Sequence, residues 1–275
     1  MSQTYPRDRF EVIVVDDGGE TPLAPTLAPF NAHLRLELIE RKKGGPARAR
    51  NVGAKHASGA LLAFTDDDCE PAPDWLAALH RRSSQCPDHA IGGVVVNALQ
   101  DNVYSSASQL LVDYLDGYYA APQTPVTGSI ATAPRFFTSN NLSVPAALFH
   151  AIGGFDESFP FAGGEDREFC DRWQERGFPL LRAPDAVIRH GHPLSLSTFW
   201  RQHLNYGRGA FQLRRARISR GAPAIDLEPF SFYRRLLTYP VRAPGHQSAP
   251  VLTMLLFVSQ VANALGFVLE MCRQF

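Results

Sequence analysis

The chain reads as an α/β protein: a mostly parallel sheet with helices on its faces, followed by a hydrophobic C-terminal helix. Three observations predict this. Short apolar or β-branched runs alternate with stretches of helical periodicity through most of the sequence. Two of these runs end abruptly in carboxylates, at Asp16-Asp17 and at Asp66-Asp67-Asp68. Finally, Val251 to Cys272 contains one charged residue, Glu270. At 275 residues, 45% hydrophobic and 20% charged, the chain can bury a substantial core as one α/β domain with an appendage.

The elements follow in order. Phe10 to Val15 is a β-branched strand that turns at Asp16-Asp17-Gly18-Gly19. Leu34 to Ile39 alternates leucines with Arg35 and Glu37, which predicts a second strand. Gly44-Gly45-Pro46 leads into a helix over Ala47 to Ala57, with Ala49, Val52 and Ala57 on its buried side. Leu61 to Thr65 is a third strand, ending in the aspartate triplet. Asp74 is the predicted N-cap of a helix that reaches Cys86 and turns Trp75, Leu76 and Leu79 inward.

A strand over Ile91 to Leu99 and a helix over Val103 to Tyr119 come next, then a loop from Pro122 to Pro134. Arg135 to Val144 predicts a strand, and Pro145 to Ile152 a short helix stopped by Gly153-Gly154. Glu165 to Gly177 predicts a helix with Phe169 and Trp173 inside. Two short strands, Leu180 to Ala183 and Ala186 to His190, precede a basic helical stretch from Leu196 to Arg220. No repeat period is visible.

The formal net charge is zero, so no overall field argues for a nucleic-acid partner. The charge is unevenly spread: twelve arginines lie between Arg176 and His246, against Asp185, Asp226 and Glu228. Such a segment meets an anionic substrate or a membrane surface, or is a solvated arginine-rich face. Cys69, Cys86, Cys170 and Cys272 have no C-x-x-C spacing, which predicts free thiols in a reducing compartment. Met1 to Arg9 is polar and predicts no leader segment.

Val251 to Cys272 is long enough to cross a bilayer. Yet Ser259, Asn263, Gly266 and Glu270 recur at spacings of four, three and four, a polar or small stripe down one helical face. That pattern fits a helix packed on protein, or lying in the membrane interface, better than a lone span. With Arg234, Arg235 and Arg242 before it, the segment suits the cytoplasmic side of a membrane. The expected organisation is therefore a domain over 1–220 and a basic linker with the hydrophobic helix over 221–275.

The acidic turns are the first candidates for chemistry. Open α/β sheets bind ligands at the carboxyl edge of the strands. Adjacent carboxylates repel, and a hard divalent cation with oxygen ligands relieves that repulsion. In a strand-end turn Asp66 and Asp68 can point the same way, so the triplet reads either as a metal-diphosphate site or as a solvated acidic turn. Gly44-Gly45-Pro46-Ala47-Arg48-Ala49-Arg50-Asn51 places a glycine turn before a helix with two arginines, a pattern suited to phosphate. Arginines two apart do not share a helix face, so one of Arg48 and Arg50 is expected to point at a ligand. Gly163-Gly164-Glu165-Asp166 opens a helix, where Asp166 is either a general base or an acid favoured by the helix dipole. Arg189-His190-Gly191-His192 is either a source of a third metal ligand or loop polarity.

Five segments occur in an order and spacing that resembles the family 2 glycosyltransferases, inverting enzymes of the GT-A fold. They are Val14 to Gly18, Gly45 to Asn51, Phe64 to Asp68, Gly153 to Glu157 and Gly164 to Asp166. The resemblance runs from about Tyr5 to Arg220. It implies that Asp17 contacts the nucleotide base, with Asp16 its neighbour, and that Arg50 borders the nucleotide. Asp66 and Asp68, flanking Asp67, resemble the Asp-x-Asp pair that holds Mg²⁺ or Mn²⁺ on the sugar-diphosphate, Asp68 being the more direct ligand. Asp166 resembles the catalytic base, with Glu165 its partner, and Gly154, Phe155, Asp156 and Glu157 the acceptor-side loop. His190 falls where many members carry a histidine near the diphosphate, with His192 as the alternative.

The implied function is metal-dependent, inverting transfer of a sugar from a nucleoside diphosphate sugar to a glycan or lipid acceptor, in envelope or secondary-metabolite biosynthesis. Family members normally begin with a strand, a Pro-Thr-Tyr-Asn-like turn and a helix before the segment matching Phe10 to Gly18. None precedes Phe10 here, and the expectation is a start internal to a longer reading frame. Gln202-His203-Leu204-Asn205-Tyr206 does not match the Gln-x-x-Arg-Trp of processive synthases, which favours single-sugar transfer. A truncated, non-catalytic assembly partner at a membrane is the competing reading. A nucleotidyltransferase is a third; it calls for a glycine-rich, lysine-bearing loop, and the only lysines are Lys42, Lys43 and Lys55.

Overall fold

The computed structural model describes residues 3–120, 135–159, 161–223, 228–242 and 248–274. In chain order the main elements are β1 (Glu11–Asp16), α1 (Ala24–Leu27), β2 (Arg35–Glu40), α2 (Pro46–His56), β3 (Leu61–Phe64), β4 (Cys69–Pro71), α3 (Trp75–Gln85), β5 (Ala90–Asn97) and α4 (Val103–Ala120). Then follow β6 (Leu142–Pro145), α5 (Ala146–Ala151), α6 (Glu165–Glu175), β7 (Leu180–His190), α7 (Leu196–Ser219), α8 (Phe230–Arg242) and α9 (Ala249–Arg273). They form two compact units interleaved in the chain: residues 1–94 with 136–188, and residues 95–135 with 189–275. Neither unit coincides with residues 1–220.

The first unit contains an α/β arrangement in two sheets. β1 and β2 pair in parallel, Glu11 opposite Arg35 and Asp16 opposite Glu40. The larger sheet has the order β3-β6-β5-β7-β4. β6 runs antiparallel to both β3 and β5, so the sheet is mixed where a mostly parallel one was expected. Only the end of Arg135 to Val144 is strand, because Ser139–Asn141 winds into a 3₁₀ turn before β6. The two short strands expected between Leu180 and His190 are one continuous β7. The loop expected over Pro122 to Pro134 lies outside the described residues.

Asn141 explains why that 3₁₀ turn is fixed. Its amide donates to the carbonyls of Val94 and Ala186, both at 3.0 Å, and its oxygen accepts from the indole of Trp75 at 2.9 Å. Gly93 lies under this amide; a Cβ there would strike the Asn141 side chain and the Ala186 carbonyl. Asp74 sits at the N-cap of α3 but makes no capping bond, contrary to expectation. Trp75 and Leu79 are buried as expected, and Leu76 is half-buried.

The core of this unit is an aromatic stack. Phe64, Phe149, Phe155, Phe169, Trp173 and Phe178 follow one another at centroid separations of 4.8 to 5.8 Å. Each large side chain removed from water contributes roughly 1.5–3 kcal/mol. The stack joins β3, α5 and α6; the acidic groups sit at the end of β3 and the start of α6. Helix α2 buries Ala47, Asn51 and Ala54, whereas Ala49, Val52 and Ala57, the expected inward residues, are half-buried. The helix starts one residue earlier, at Pro46, and a polar side chain, Asn51, occupies its inner face.

The second unit contains α4, α7, α8 and α9. α8, absent from the expected basic linker, forms because Phe232, Leu236 and Pro240 recur every four residues and bury one face. α7 and α9 approach backbone to backbone. A Cβ at Gly207 would strike the Asn263 carbonyl, and one at Gly266 the Leu204 carbonyl. Glu270 of α9 accepts from Arg208 at 2.9 Å and Gln212 at 3.1 Å, both on α7. Burial raises the Glu270 pKa, but these bonds, with one from Gln274, outweigh it and leave the carboxyl below its ordinary range. His203 of α7 is fully buried between Phe199 and Tyr206, and neither ring nitrogen has a hydrogen-bond partner among the described residues. Burial drives its pKa down to about 4.

Two predictions follow from this packing. His203 stays neutral when folded and takes up a proton on unfolding once the pH drops below its ordinary value of 6.5. The unfolded state binds more protons between pH 6.5 and about 4, so stability conferred above that window is lost as the pH falls through it. The loss is on the order of 3 kcal/mol. Urea unfolding of His203→Leu across that window is expected to show a shallower acid loss than the parent; identical slopes would refute the buried neutral imidazole. Gly266→Val forces α9 off α7 and is expected to cost about 3 kcal/mol or more in the same assay; an unchanged midpoint would contradict the close contact.

Candidate functional site

One guanidinium gathers the acidic elements of the first unit. Arg50 of α2 donates to Asp66 Oδ1 at 2.8 Å and to Glu165 Oε1 at 3.1 Å. Asp66 follows β3 and Glu165 opens α6, so a single side chain links the strand-end turn to the helix start. The Arg50 side chain is 15% exposed and that of Glu165 4%. Burial opposes the charge on Arg50, yet Asp66 and Glu165 outweigh it and raise its pKa above the ordinary value. Glu165 is shifted upward by burial first and by the neighbouring Asp166 second, with Arg50 opposing both. Phe155 lies 5.8 Å from the Arg50 guanidinium carbon and covers one face of it.

The backbone around Glu165 is built for this contact. Gly163 and Gly164 have φ of 129° and 103°, a region that strains any residue with a Cβ. They let the chain turn sharply into α6, where Glu165 Oε2 accepts from the Gly163 N–H at 2.8 Å. Asp166 is half-buried beside it and accepts from the Arg167 N–H at 2.8 Å. In the triplet, which turns between β3 and β4 with the Cys69 N–H bonded to the Asp66 carbonyl at 3.2 Å, Asp66 and Asp68 are half-buried and Asp67 is exposed. Cys69, next to Asp68, has its thiol pushed up to about 12, burial being the main cause, so it stays protonated.

The other acidic turn is used differently. Asp16 closes its own turn by accepting from the Gly19 N–H at 2.6 Å. Asp17 accepts from the N–H groups of Gly44 and Gly45, and from Arg41 at 2.5 Å. It fastens the glycine turn that starts α2 and thereby sets where Arg50 begins. Of the two arginines of α2, Arg50 points inward and Arg48 is 55% exposed, 3.6 Å from Glu157.

The segment from Gly154 to Glu157 is clamped from two sides. Asn51 exchanges two bonds with the Phe155 backbone, both 2.9 Å, and donates to Glu157 at 3.0 Å. Arg172 of α6 donates to the carbonyls of Ile152 and Gly154, both at 2.7 Å, and is held by Glu168. Asp156 accepts from the Ser158 N–H at 2.9 Å.

Asp16, Asp17, Arg50, Asp66, Asp67, Asp68, Gly154 to Glu157, Glu165 and Asp166 thus all belong to the first unit. His190 ends β7 in the second unit, its ring stacked on His192 with centroids 5.5 Å apart. Sequence reasoning missed Arg41 and Arg172 as organisers. Arg172 had a signal, the i,i+4 spacing from Glu168 on a helix. Arg41 had none, because its partner Asp17 lies 24 residues earlier.

Comparison with known proteins places this geometry. The model of glycosyl transferase family 2 matches residues 1–151, and that of the N-terminal domain of galactosyltransferase matches residues 130–193. The glycosyltransferase AglE of Haloferax volcanii is 46% identical over 77 residues, 27% of this chain and 25% of that protein. The pre-mycofactocin glycosyltransferase of Mycobacterium tuberculosis is 28% identical over 216 residues, 78% of this chain and 44% of that protein. The chain therefore spans between a quarter and about half the length of these relatives. The crystal structure of GalNAc-T7 with UDP, GalNAc and Mn²⁺ superposes with a TM-score of 0.55 at 16% identity, covering 98% of this chain and 51% of that one, a likeness of fold.

Removing the Arg50 charge strands the buried Glu165 carboxylate and leaves the half-buried Asp66 unpaired by it. Arg50→Gln is expected to destabilise the chain by about 3 kcal/mol at neutral pH. Without the guanidinium, the folded-state pKa of Glu165 rises further above its unfolded value, so the variant regains stability as the pH falls toward the ordinary carboxylate range. Urea midpoints at pH 7.5 and pH 5 check this; an equal deficit at both would contradict the buried-charge account.

Proposed function

The chain belongs to glycosyl transferase family 2, and on that premise we propose that it transfers a sugar from a nucleoside diphosphate sugar to an acceptor hydroxyl, with inversion and with help from a divalent metal. The observation that carries this reading is the Arg50 bridge, which holds the acidic end of β3 and the start of α6 on one side chain. In our reading Asp166 accepts the proton from the acceptor hydroxyl, and the freed oxygen attacks the anomeric carbon from the face opposite the diphosphate. The bond from that carbon to the phosphate oxygen breaks, and its electron pair leaves with the nucleoside diphosphate. Glu165, committed to Arg50 and the Gly163 N–H, positions Asp166 and does not itself take the proton.

The side chains present suit Mg²⁺ or Mn²⁺. Asp66 and Asp68 offer hard oxygen donors and are half-buried in the turn after β3, with Asp67 exposed. Following the family resemblance, we assign the more direct contact to Asp68. His190, carried over from the family resemblance, is the proposed third ligand, with His192 the alternative. A bound ion would stabilise charge on the departing diphosphate. Asp16, Asp17 and Arg50 border the proposed nucleotide side, and the clamped Gly154 to Glu157 segment the acceptor side. We place the protein at the cytoplasmic face of a membrane, with a glycan or lipid acceptor in cell-envelope biosynthesis, supported by the long apolar α9.

Asp166→Asn is expected to lower turnover by about 10²- to 10⁴-fold in assays of diphosphate release with acceptor present, while donor binding is kept. Asp68→Ala is expected to remove the metal-dependent heat of nucleoside diphosphate binding in calorimetry with Mn²⁺. Full turnover in both variants would overturn the assigned roles. An unmodified chain that shows no metal-dependent heat would instead favour the non-catalytic assembly partner.

A further inference from the structure

Helix α9 presents apolar side chains both to the protein it packs on and to solvent. Leu252, Leu255, Leu256 and Ala262 are buried together with Ser259, Gly266 and Glu270, while Met254, Phe257, Val261, Leu265, Val268 and Leu269 are each 42–56% exposed. At about 100° per residue, those six side chains fall within a sector about 120° wide. No charged or amide side chain of α9 projects within that sector. A water-facing helix has the opposite distribution. The exposed strip is also long, about 22 Å from Met254 to Leu269.

Its neighbour repeats the pattern. α8 packs beside α9 through Phe232, Leu236 and Leu256, and leaves Phe230 and Val241 exposed at 82% and 74%. On the α8 helix, Arg234 falls within about 40° of both. Apolar side chains flanked by an arginine that can reach outward suit a membrane interface. Charge supports the same occupant. Arg234, Arg235, Arg242 and Arg273 lie on α8 and α9, and the one acidic residue of those helices, Glu270, is already paired with Arg208. An anionic lipid surface is complementary to that balance.

We propose that the exposed face of α9 docks in the plane of a lipid bilayer, its apolar strip among the acyl chains and the arginines at the anionic headgroups. The proposal deepens, and rests on, the membrane location given above, and it decides between lying on the bilayer and crossing it. α9 does not stand alone: Gly207 and Gly266 lock it to α7, and Arg208 is bonded to Glu270. A crossing would draw α7 into hydrocarbon with Arg201, Arg208, Arg214, Arg215 and Arg217. Each arginine costs about 2.5–3.5 kcal/mol at a membrane-spanning helix centre. Lying in the interface immerses only the apolar strip and leaves α7 in water.

The test is flotation of the full chain with phosphatidylcholine vesicles, with and without phosphatidylglycerol. Binding strengthened by the anionic lipid, and release by alkaline carbonate, are expected. Val261→Glu combined with Leu265→Glu is expected to lower the bound fraction about tenfold or more. The milder Leu265→Gln should move it the same way, and both variants should keep the thermal transition. Absence of flotation with either vesicle, unchanged flotation of the variants, or retention after carbonate would each overturn the proposal. So would a dimer in sedimentation that the double variant dissociates, since the strip would then be covered by a second copy. Diphosphate release measured on the same samples separates the two readings. A chain that floats without turnover keeps the docking face and loses the transferase, and one that turns over without floating does the reverse.

Discussion

The buried Arg50 guanidinium is the constraint on which the first unit depends. Charges taken out of water must be paired, and removing one partner leaves an uncompensated charge worth several kcal/mol. Arg50, Asp66 and Glu165 come from stretches 16 and 115 residues apart, so their pairing ties the end of β3 and the start of α6 to one position on α2. Other features serve that position. Asp17 fixes the glycine turn from which α2 springs, and the left-handed Gly163 and Gly164 let Glu165 fold back toward the guanidinium. Phe155 closes over it from the aromatic stack. The electrostatic link and the hydrophobic core therefore meet at one residue.

Much of this was legible in the sequence because it is local. Strand β1, strand β3 and helix α2 announce themselves by β-branched runs, an abrupt acidic end and a Gly-Pro start. That Arg48 and Arg50 diverge follows from helix geometry alone. What was not legible depends on distant partners. The antiparallel β6 cannot be read from Leu142–Pro145, because Leu-Ser-Val-Pro carries no direction; it shows only in the pairing with β3 and β5. α8 was hidden by its arginines, which mask a four-residue apolar repeat. Arg50 was legible as a phosphate-type residue but not as the bridge between Asp66 and Glu165, since nothing local pairs positions 50 and 165.

The second unit buries polar groups beside an apolar core and leaves an apolar strip of α9 exposed. In water, polar groups sit outside because burying them without a partner is costly. Here Glu270 lies inside, matched by Arg208, Gln212 and Gln274, and Ser259 inside by a bond to the Leu256 carbonyl. Small residues at the α7–α9 contact draw the two backbones together, so packing and matched hydrogen bonds hold the helices. Leu252, Leu255 and Leu256 add an apolar inner face, so the exposed strip is apolar surface beyond what the core uses, as suits a helix whose outer face meets lipid.

The two acidic turns show why a carboxylate at a strand end is not by itself a ligand. Asp17 and Asp66 carry the same signal in sequence, yet they differ in how far their acceptor capacity is used. An ionised carboxylate has about four lone-pair sites. Asp17 meets Gly44, Gly45 and Arg41 in four contacts, so any base that binds there must displace a donor that also sets the start of α2. Asp66 gives one oxygen to Arg50 and keeps capacity on the other, while its charge is half-balanced by the guanidinium. A second positive partner is therefore better accommodated at Asp66 than at Asp17. Electroneutrality across Arg50, Asp66, Glu165 and Asp166 points the same way, since three carboxylates share one guanidinium in that cluster.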